Sequence, residues 1–252
     1  MSNNKINNLE DGSPISQKRR LAAWLVHCFT ATGAILSLLA LNAIFWQQFV
    51  YAFCLMAAAV FIDSIDGIMA RAAMAKEAVP QIDGALLDNI IDYVNYVIVP
   101  AFFIIESDLL PYGFRIIGAG IIAFVSAYQF SQIDAKTTDH FFKGFPSYWN
   151  IVTFYLFIFN TSQWTNFLIV VVLSFMVFVP IKYAYLSRSH YLVRNKILKR
   201  LLFVSSLIWV GSAAGLLWIY PETNYMLTAI SIMYIAIYFC MSLYRTFFPM
   251  NK

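Results

Sequence analysis

The sequence predicts an all-α integral membrane protein, and two observations carry that prediction. Of the 252 residues, 61% are hydrophobic and only 12% are charged, whereas a soluble domain is typically about 45–50% apolar and about 25% charged. Apolar stretches of about 20 residues, the length of helix that crosses a bilayer, also recur along the whole chain. We therefore expect a polytopic helical protein.

We place about eight transmembrane helices on these stretches, with edges that follow the apolar runs. The fifth stretch is short for a full crossing and begins beside Pro146. In chain order the expected spans are 21–45, 48–71, 83–106, 113–133, 147–161, 165–182, 200–219 and 224–244.

The distribution of Lys and Arg predicts the orientation of these spans. If the N-terminus is cytoplasmic, Arg115 alone of the 17 Lys and Arg residues falls in an outer loop. Positive residues concentrate on the cytoplasmic side of membrane proteins. The sequence thus predicts a multi-pass membrane protein with both termini facing the cytoplasm.

The chain is expected to form one catalytic domain. Residues 1–20 are polar, contain no apolar segment typical of a signal peptide, and predict a disordered cytoplasmic tail. Residues 21–245 form the polytopic domain, and 246–252 a short cytoplasmic tail. The net charge of +4 is explained by the cytoplasmic loops, so no nucleic-acid partner is expected.

Four aspartates lie inside the second and third spans at matching depth. Asp63 and Asp66 are about 12 and 8 Å from the cytoplasmic end of their span, and Asp88 and Asp92 about 6 and 12 Å, at 1.5 Å per residue. The first pair is spaced i,i+3 and the second i,i+4, so each pair shares a helix face. Because ionisable residues in a membrane are costly, such a cluster indicates a functional site.

The residue types in this cluster favour a metal site. Carboxylates without His or Cys select hard cations, so Mg²⁺ or Mn²⁺ is expected. Four carboxylates suit a pair of ions about 4 Å apart, an arrangement that clamps phosphoryl groups. The alternative is a cation or proton pathway in a cation-coupled transporter.

Small and basic residues border the same helix faces. Gly67, Ala70 and Gly84 allow close approach of helices or a ligand, and Arg71 can offer its guanidinium fork to a phosphate. Asp83, directly before the third span, is predicted to be its N-cap.

Together these residues resemble the signature of the CDP-alcohol phosphatidyltransferases, membrane enzymes that join a CDP-linked lipid to an alcohol and release CMP. A gap of twelve residues, 72–83, separates the two halves of the motif, and is longer than in most of the family. This gap and the expected eight spans are similar to the branch that condenses CDP-diacylglycerol directly with choline. The motif is Asp63-x-x-Asp66-Gly67-x-x-Ala70-Arg71, then Gly84-x-x-x-Asp88-x-x-x-Asp92.

The resemblance implies a role for each motif residue. Asp63, Asp66 and Asp88 would bind two Mn²⁺ or Mg²⁺ ions, with Asp92 nearby or bridging. Asp92 would also be the general base that takes the proton of the acceptor hydroxyl. The CDP-lipid site would include Asp63, Gly67, Ala70, Arg71 and Gly84. Serine, glycerol 3-phosphate and an inositol phosphate are the acceptors used by sister enzymes. The resemblance also implies a homodimer in the bacterial inner membrane, with the active site facing the cytoplasm.

Residues outside the motif complete the expected site. Thr30 and Thr32 lie at the depth of the acids and are candidate contacts of the CDP-lipid, or alternatively bond their own helix backbone. Lys76 is a candidate for the same ligand, or a topology-setting lysine. Because aromatic faces hold quaternary ammonium ions, Tyr148 and Trp149, together with Asn150, are the candidate choline site, the alternative being the aromatic belt. CDP-diacylglycerol, choline and membrane lipids are the expected partners.

Overall fold

The computed structural model describes residues 16–135, 141–184 and 195–248. It is almost entirely helical, which confirms the predicted fold class. The elements, in chain order, are α1 (Gln17–Phe45), α2 (Phe49–Ala73), α3 (Ala75–Ala78), α4 (Gly84–Tyr93), a π-helical turn (Val94–Ile98), α5 (Val99–Glu106), a 3₁₀ turn (Tyr112–Phe114), α6 (Arg115–Ser131), β1 (Phe141–Lys143), α7 (Trp149–Phe159), α8 (Gln163–Met176), β2 (Lys182–Ala184), α9 (Lys196–Ile219) and α10 (Tyr225–Phe247).

Six helices in the described ranges are long and apolar enough to cross a membrane. They are α1, α2, the continuous helix Gly84–Glu106, the helix Tyr112–Ser131, α9 and α10. Helix α1 begins at Gln17, earlier than predicted, because Ser16 caps its first turn through the backbone N–H of Arg19. The other residues of the predicted N-terminal tail, 1–15, and residues 249–252 of the predicted C-terminal tail lie outside the described residues.

The predicted fifth and sixth spans form two shorter apolar helices, in addition to the six helices of spanning length in the described ranges. Helices α7 and α8 have 11 and 14 residues, about 17 and 21 Å at 1.5 Å per residue, against a hydrocarbon core of about 30 Å. Pro146 and the left-handed backbone of Ser147 (φ 55°) delay the start of α7, and Asn160 (φ 45°) ends it.

These two short helices run between the loop that follows α5 and the strand pair β1–β2. At the turn between them, Gln163 Nε2 donates to Asp108 O (3.0 Å) and Asn166 Nδ2 to Leu109 O (2.9 Å), in the loop after α5. At the opposite end β1 and β2 pair antiparallel. Non-helical backbone, including β1 and β2, flanks the two short helices at that end.

Gly144 is required where that non-helical backbone turns. Its φ of 80° is left-handed, and an added Cβ would lie 2.1 Å from the carbonyl oxygen of Val177. Its N–H donates to Ile181 O (2.9 Å), and Phe145 N–H donates to Met176 O (3.0 Å). These two hydrogen bonds hold the segment after β1 against the segment that links α8 to β2.

The first three spans pack through small residues. An added Cβ at Gly33 of α1 would lie only 2.7 Å from Cγ2 of Ile91, so the third span passes directly over this glycine. One turn later, the Ser37 hydroxyl donates to Oδ1 of Asn95, and both residues are buried. This close packing sets the position of the third span against α1.

An aromatic core joins α2, α5 and α7. Phe53 and Phe103 have ring centroids 4.8 Å apart, and Phe157 lies 5.4 and 5.6 Å from them. The Tyr220 ring at the end of α9 stacks on Phe157 at 4.5 Å. Such contacts add to the burial of apolar area and hold α7 against the first three spans.

Helices α9 and α10 form a hairpin held by hydroxyl groups. The hydroxyls of Ser212 and Ser231 lie 2.8 Å apart, and those of Ser206 and Tyr234 3.0 Å apart. Polar bonds between membrane helices are a common means of association.

Candidate active site

Three of the predicted aspartates converge between α2 and α4. Asp63 of α2 and Asp88 and Asp92 of α4 each place one carboxylate oxygen within 4.8 Å of the others. Among the described residues this is the group of His, Cys, Asp or Glu side chains close enough to hold a metal ion. The two helices therefore bring three of the four predicted carboxylates together.

Tyr96 ties this cluster to the third span. Its hydroxyl donates to Oδ2 of Asp63 at 2.7 Å, and its side chain is buried. Tyr96 lies in the π-helical turn, where the N–H of Val99 bonds Val94 O, five residues back. The next residue, Pro100, has no N–H to donate, which accounts for a local departure from α-helical geometry.

Asp66, the fourth predicted ligand, lies outside this group. It is buried, with Thr30 of α1 as its side-chain hydrogen-bond partner and Gly67 as its backbone partner. Arg71 attracts it electrostatically. The structure thus divides the predicted four-aspartate site into a cluster of three and a neighbouring Asp66.

Arg71 folds back over the helix that carries it. An added Cβ at Gly67 would lie 3.4 Å from Nη1 of Arg71, so the guanidinium covers this glycine. Ala70 packs against the small cluster of Ala23, Ala75, Ala78 and Val79 that joins α1 to α3. A patch of backbone beside an exposed guanidinium suits a phosphate-bearing ligand.

The other predicted CDP-lipid contacts take different positions. Gly84 begins α4 beneath His27, whose Cε1 atom would lie 3.0 Å from an added Cβ. Lys76 is exposed on α3. The Thr32 hydroxyl donates to Phe29 O of its own helix at 2.6 Å, which is the alternative considered for this residue. Asp83 caps α4 as predicted, accepting from the N–H groups of Ala85 and Leu86.

The predicted choline residues lie at the start of α7. The Tyr148 ring is half-buried, 6.0 Å from the ring of Tyr96. Trp149 is fully buried and donates from Nε1 to Ser126 Oγ at 2.9 Å. Asn150 is also buried, and its Oδ1 accepts from the N–H of Ile151. Tyr148 is thus the member of this group whose ring lies beside Tyr96, the residue that bonds Asp63.

No protein-family model matches the chain, whereas curated proteins match it along nearly its full length. The phosphatidylcholine synthase of Legionella pneumophila is 45% identical over 240 residues, which is 95% of this chain and 94% of that protein. Those of Legionella bozemanae and Borreliella burgdorferi are 46% and 36% identical, over 86% and 92% of this chain and 100% and 97% of their own. The chain belongs to the bacterial phosphatidylcholine synthase family.

This membership confirms the resemblance drawn from the motif, because phosphatidylcholine synthases are a branch of the CDP-alcohol phosphatidyltransferases. In the structure the twelve-residue gap, 72–83, contains the end of α2, α3 and the turn that follows it. Ala75, Ala78 and Val79 from this segment pack against Ala23 of α1.

Sequence reasoning missed three features of this phosphatidylcholine synthase family member. The hydrogen bond from Tyr96 to Asp63 depends on a π-helical turn, for which Pro100 is the available signal. His27 lies one turn before Thr30 on α1, and its Nε2 is buried without a hydrogen-bond partner among the described residues. Phe142 has its ring 6.1 Å from that of Tyr148 at 90°, a contact made by chain folding between distant elements.

Proposed function

We propose that this protein is a phosphatidylcholine synthase that condenses CDP-diacylglycerol with choline and releases CMP. The observation that carries the proposal is the convergence of Asp63, Asp88 and Asp92 in a chain 45% identical to a phosphatidylcholine synthase over 95% of its length. A site of this composition suits transfer of a phosphatidyl group to an alcohol, because CDP-diacylglycerol and both products carry phosphate charge.

The carboxylate cluster is proposed to hold Mn²⁺ or Mg²⁺, as two ions. Three oxygens from three residues within 4.8 Å, with no His or Cys among them, form the donor set of a hard cation. Asp66 would complete the second ion's shell from its neighbouring position. When bound, such ions neutralise the charge of the diphosphate and stabilise the leaving CMP.

The CDP-lipid is proposed to lie against the exposed face of α2 and the start of α4. Arg71 would bind the diphosphate, with Gly67 and Gly84 leaving room for it and Ala70 fixing the helix surface beside α3. Thr30 would keep Asp66 oriented at the edge of this site. Thr32 and Lys76 remain proposed contacts, supported by their position on α1 and in the twelve-residue gap, and Asp63 borders both ligands.

Asp92 is proposed to be the general base. Its carboxylate would accept the proton of the choline hydroxyl, and the choline oxygen would form a bond to the lipid-side phosphorus. The bond between that phosphorus and the oxygen of CMP breaks in the same displacement, so CMP leaves with the electron pair. A positioned base of this kind contributes about 10²- to 10⁴-fold to rate.

Choline is proposed to enter from the side of α7. Tyr148 would contact its ammonium group, whereas Trp149 and Asn150, both buried, would hold the start of α7 in place. The active site is proposed to face the cytoplasm of the bacterial inner membrane, since basic residues such as Lys18, Arg71 and Lys196 gather at the carboxylate-bearing end of the helices. A homodimer stays a prediction from the family.

The proposal is tested by measuring CMP release from CDP-diacylglycerol by purified protein in detergent. Mn²⁺ or Mg²⁺ is supplied, and choline, ethanolamine, serine, glycerol 3-phosphate and inositol phosphate are added one at a time, with a chelator control. We expect release with choline, lost on chelation. Release with another acceptor would identify a sister enzyme, and ion flux without CMP release would favour a cation-coupled transporter.

A further inference from the structure

We infer that Tyr96, Phe142 and Tyr148 form the subsite that binds the quaternary ammonium group of the acceptor. This inference rests on the proposed function, since it deepens the choline site. The sequence prediction named Tyr148 and Trp149, together with Asn150. The inference adds Tyr96 and Phe142, and it assigns Trp149 the role of positioning Tyr148 instead of contacting choline. Aromatic faces bind quaternary ammonium ions because the ring quadrupole is negative above and below its plane.

The three rings come from separate parts of the chain. Tyr148 precedes α7, Phe142 is in β1, and Tyr96 is in the π-helical turn of the third span. The Tyr148 ring lies 6.0 Å from Tyr96 and 6.1 Å from Phe142, with interplanar angles of 52° and 90°. Because neither of these two pairs is parallel, the rings present differently inclined faces instead of one stack, and a cation can contact more than one such face.

The position of Tyr96 places these rings beside the reacting atoms. Its hydroxyl bonds Asp63, whose carboxylate clusters with that of Asp92, and its ring lies 6.0 Å from that of Tyr148. In choline only two carbon atoms separate the hydroxyl oxygen from the nitrogen. A choline whose hydroxyl faces Asp92 must therefore hold its ammonium group within a few ångströms of Asp92, where this aromatic surface lies.

The backbone around β1 and α7 is built to hold Tyr148 and Phe142 in place. Gly144 and Ser147 both adopt positive φ, which turns the chain sharply between the two aromatic residues. Trp149 is anchored by its bond to Ser126 and by the ring of Phe145 at 5.3 Å. The burial of Trp149 therefore fixes the direction of its neighbour Tyr148.

The chemistry of this surface favours a quaternary over a primary ammonium. A trimethylated nitrogen has no N–H to donate, so aromatic faces satisfy it without hydrogen bonds. The primary ammonium of ethanolamine has three donors that aromatic rings leave unsatisfied. The subsite therefore predicts discrimination between choline and ethanolamine at the level of binding.

The decisive experiment compares Tyr148→Leu, Phe142→Leu and Tyr148→Phe with the wild-type enzyme. KM for choline, KM for CDP-diacylglycerol and kcat are measured by CMP release in detergent. Loss of one ring should raise the choline KM by about tenfold and leave the CDP-diacylglycerol KM unchanged. Tyr148→Phe keeps the ring, so its choline KM should equal that of the wild-type enzyme. Tyr128→Leu is the matched control, because Tyr128 is a half-exposed tyrosine of α6 packed against Phe178.

A second measurement uses tetramethylammonium, which carries the cation without the hydroxyl. It should inhibit the wild-type enzyme competitively with choline, with an inhibition constant that rises in Tyr148→Leu and Phe142→Leu. Unchanged choline KM values in both variants, or equal loss of affinity for both substrates, would overturn the inference while leaving the proposed function intact. Absence of CMP release by the wild-type enzyme with choline would instead overturn the proposed function, and this inference with it.

Discussion

The first three spans and the α9–α10 hairpin are both apolar enough to cross a membrane, yet they are packed very differently. In the most apolar 18-residue stretch of the third span, 50% of the residues are buried inside the protein. In the corresponding stretches of α9 and α10, 17% of the residues are buried. All three clustered aspartates lie in the well-packed region. The difference shows that the clustered aspartates lie on helices that are more buried, within the described residues, than the helices of the hairpin.

Residue size explains much of this difference. Gly33 lets the third span approach α1 so closely that an added Cβ would meet Ile91 at 2.7 Å, whereas an added Cβ at Gly211 of α9 would meet no atom of the described residues within 4 Å. A carboxylate that must align within a fraction of an ångström needs a closely packed helix such as the one at Gly33. The following substitutions test that contrast, from the largest expected effect to the smallest.

Replacing Asp88 with Asn should have the largest effect. Asp88 contributes one of the three clustered oxygens, so its loss removes several kcal/mol of charge stabilisation and should lower CMP release by at least about a thousand-fold. Asp108→Asn is the matched control, because Asp108 pairs with Arg115 in the loop at the other end of the helices. Equal activity of the two variants would contradict the role assigned to the cluster.

Replacing Asp92 with Asn separates the base from the ligands. CMP release should fall by at least about a hundred-fold, while binding of CDP-diacylglycerol in the presence of Mn²⁺ stays close to wild type because Asp63, Asp66 and Asp88 remain. Binding is measured by retention of labelled CDP-diacylglycerol on immobilised protein. If binding falls as much as turnover, Asp92 acts chiefly as a metal ligand.

Alanine substitutions at Gly33 and at Gly211 test the difference in packing directly. Gly33→Ala must push Ile91, a β-branched residue with little rotamer freedom, and overpacking of this kind costs about 1–3 kcal/mol. The melting temperature in detergent, followed by tryptophan fluorescence, should fall together with CMP release, because Ile91 adjoins Asp92. Gly211→Ala should leave both quantities unchanged or slightly improved. A similar response of the two variants would remove the proposed difference between the regions.

The smallest effects are expected from two serines. Ser212→Ala removes the bond to Ser231 within the hairpin and should cost about 0.6 kcal/mol, the average for polar bonds between membrane helices, with no change in CMP release. Ser37→Ala removes the bond to Asn95, three residues after Asp92, and leaves a buried amide oxygen without this donor. It should lower both stability and CMP release more. The reverse order would place the sensitive packing in the hairpin.

Much of the fold and of the site follows from the sequence. Hydrophobic runs predicted the six helices of spanning length, and the rise of 1.5 Å per residue predicted that Asp63 and Asp92 lie at one depth. Asp83 was identified as an N-cap from its position alone. The exact lengths of α7 and α8 were not predicted. Hydropathy carries no information about backbone turns such as those at Ser147 and Asn160. In addition, an apolar segment can be extended where protein covers it.

The sequence by itself determined the membrane class, the family and the residue types of the site, because these depend on composition, local periodicity and motif spacing. The tertiary structure decided which carboxylates meet, and it placed Asp66 with Thr30 instead of with the other three. It also decided that Tyr96 bonds Asp63 and that the Tyr148 ring lies beside Tyr96, whereas Trp149 is buried against Ser126 and Phe145. These outcomes depend on helix rotation and on contacts between residues far apart in the chain, and local sequence spacing does not specify either.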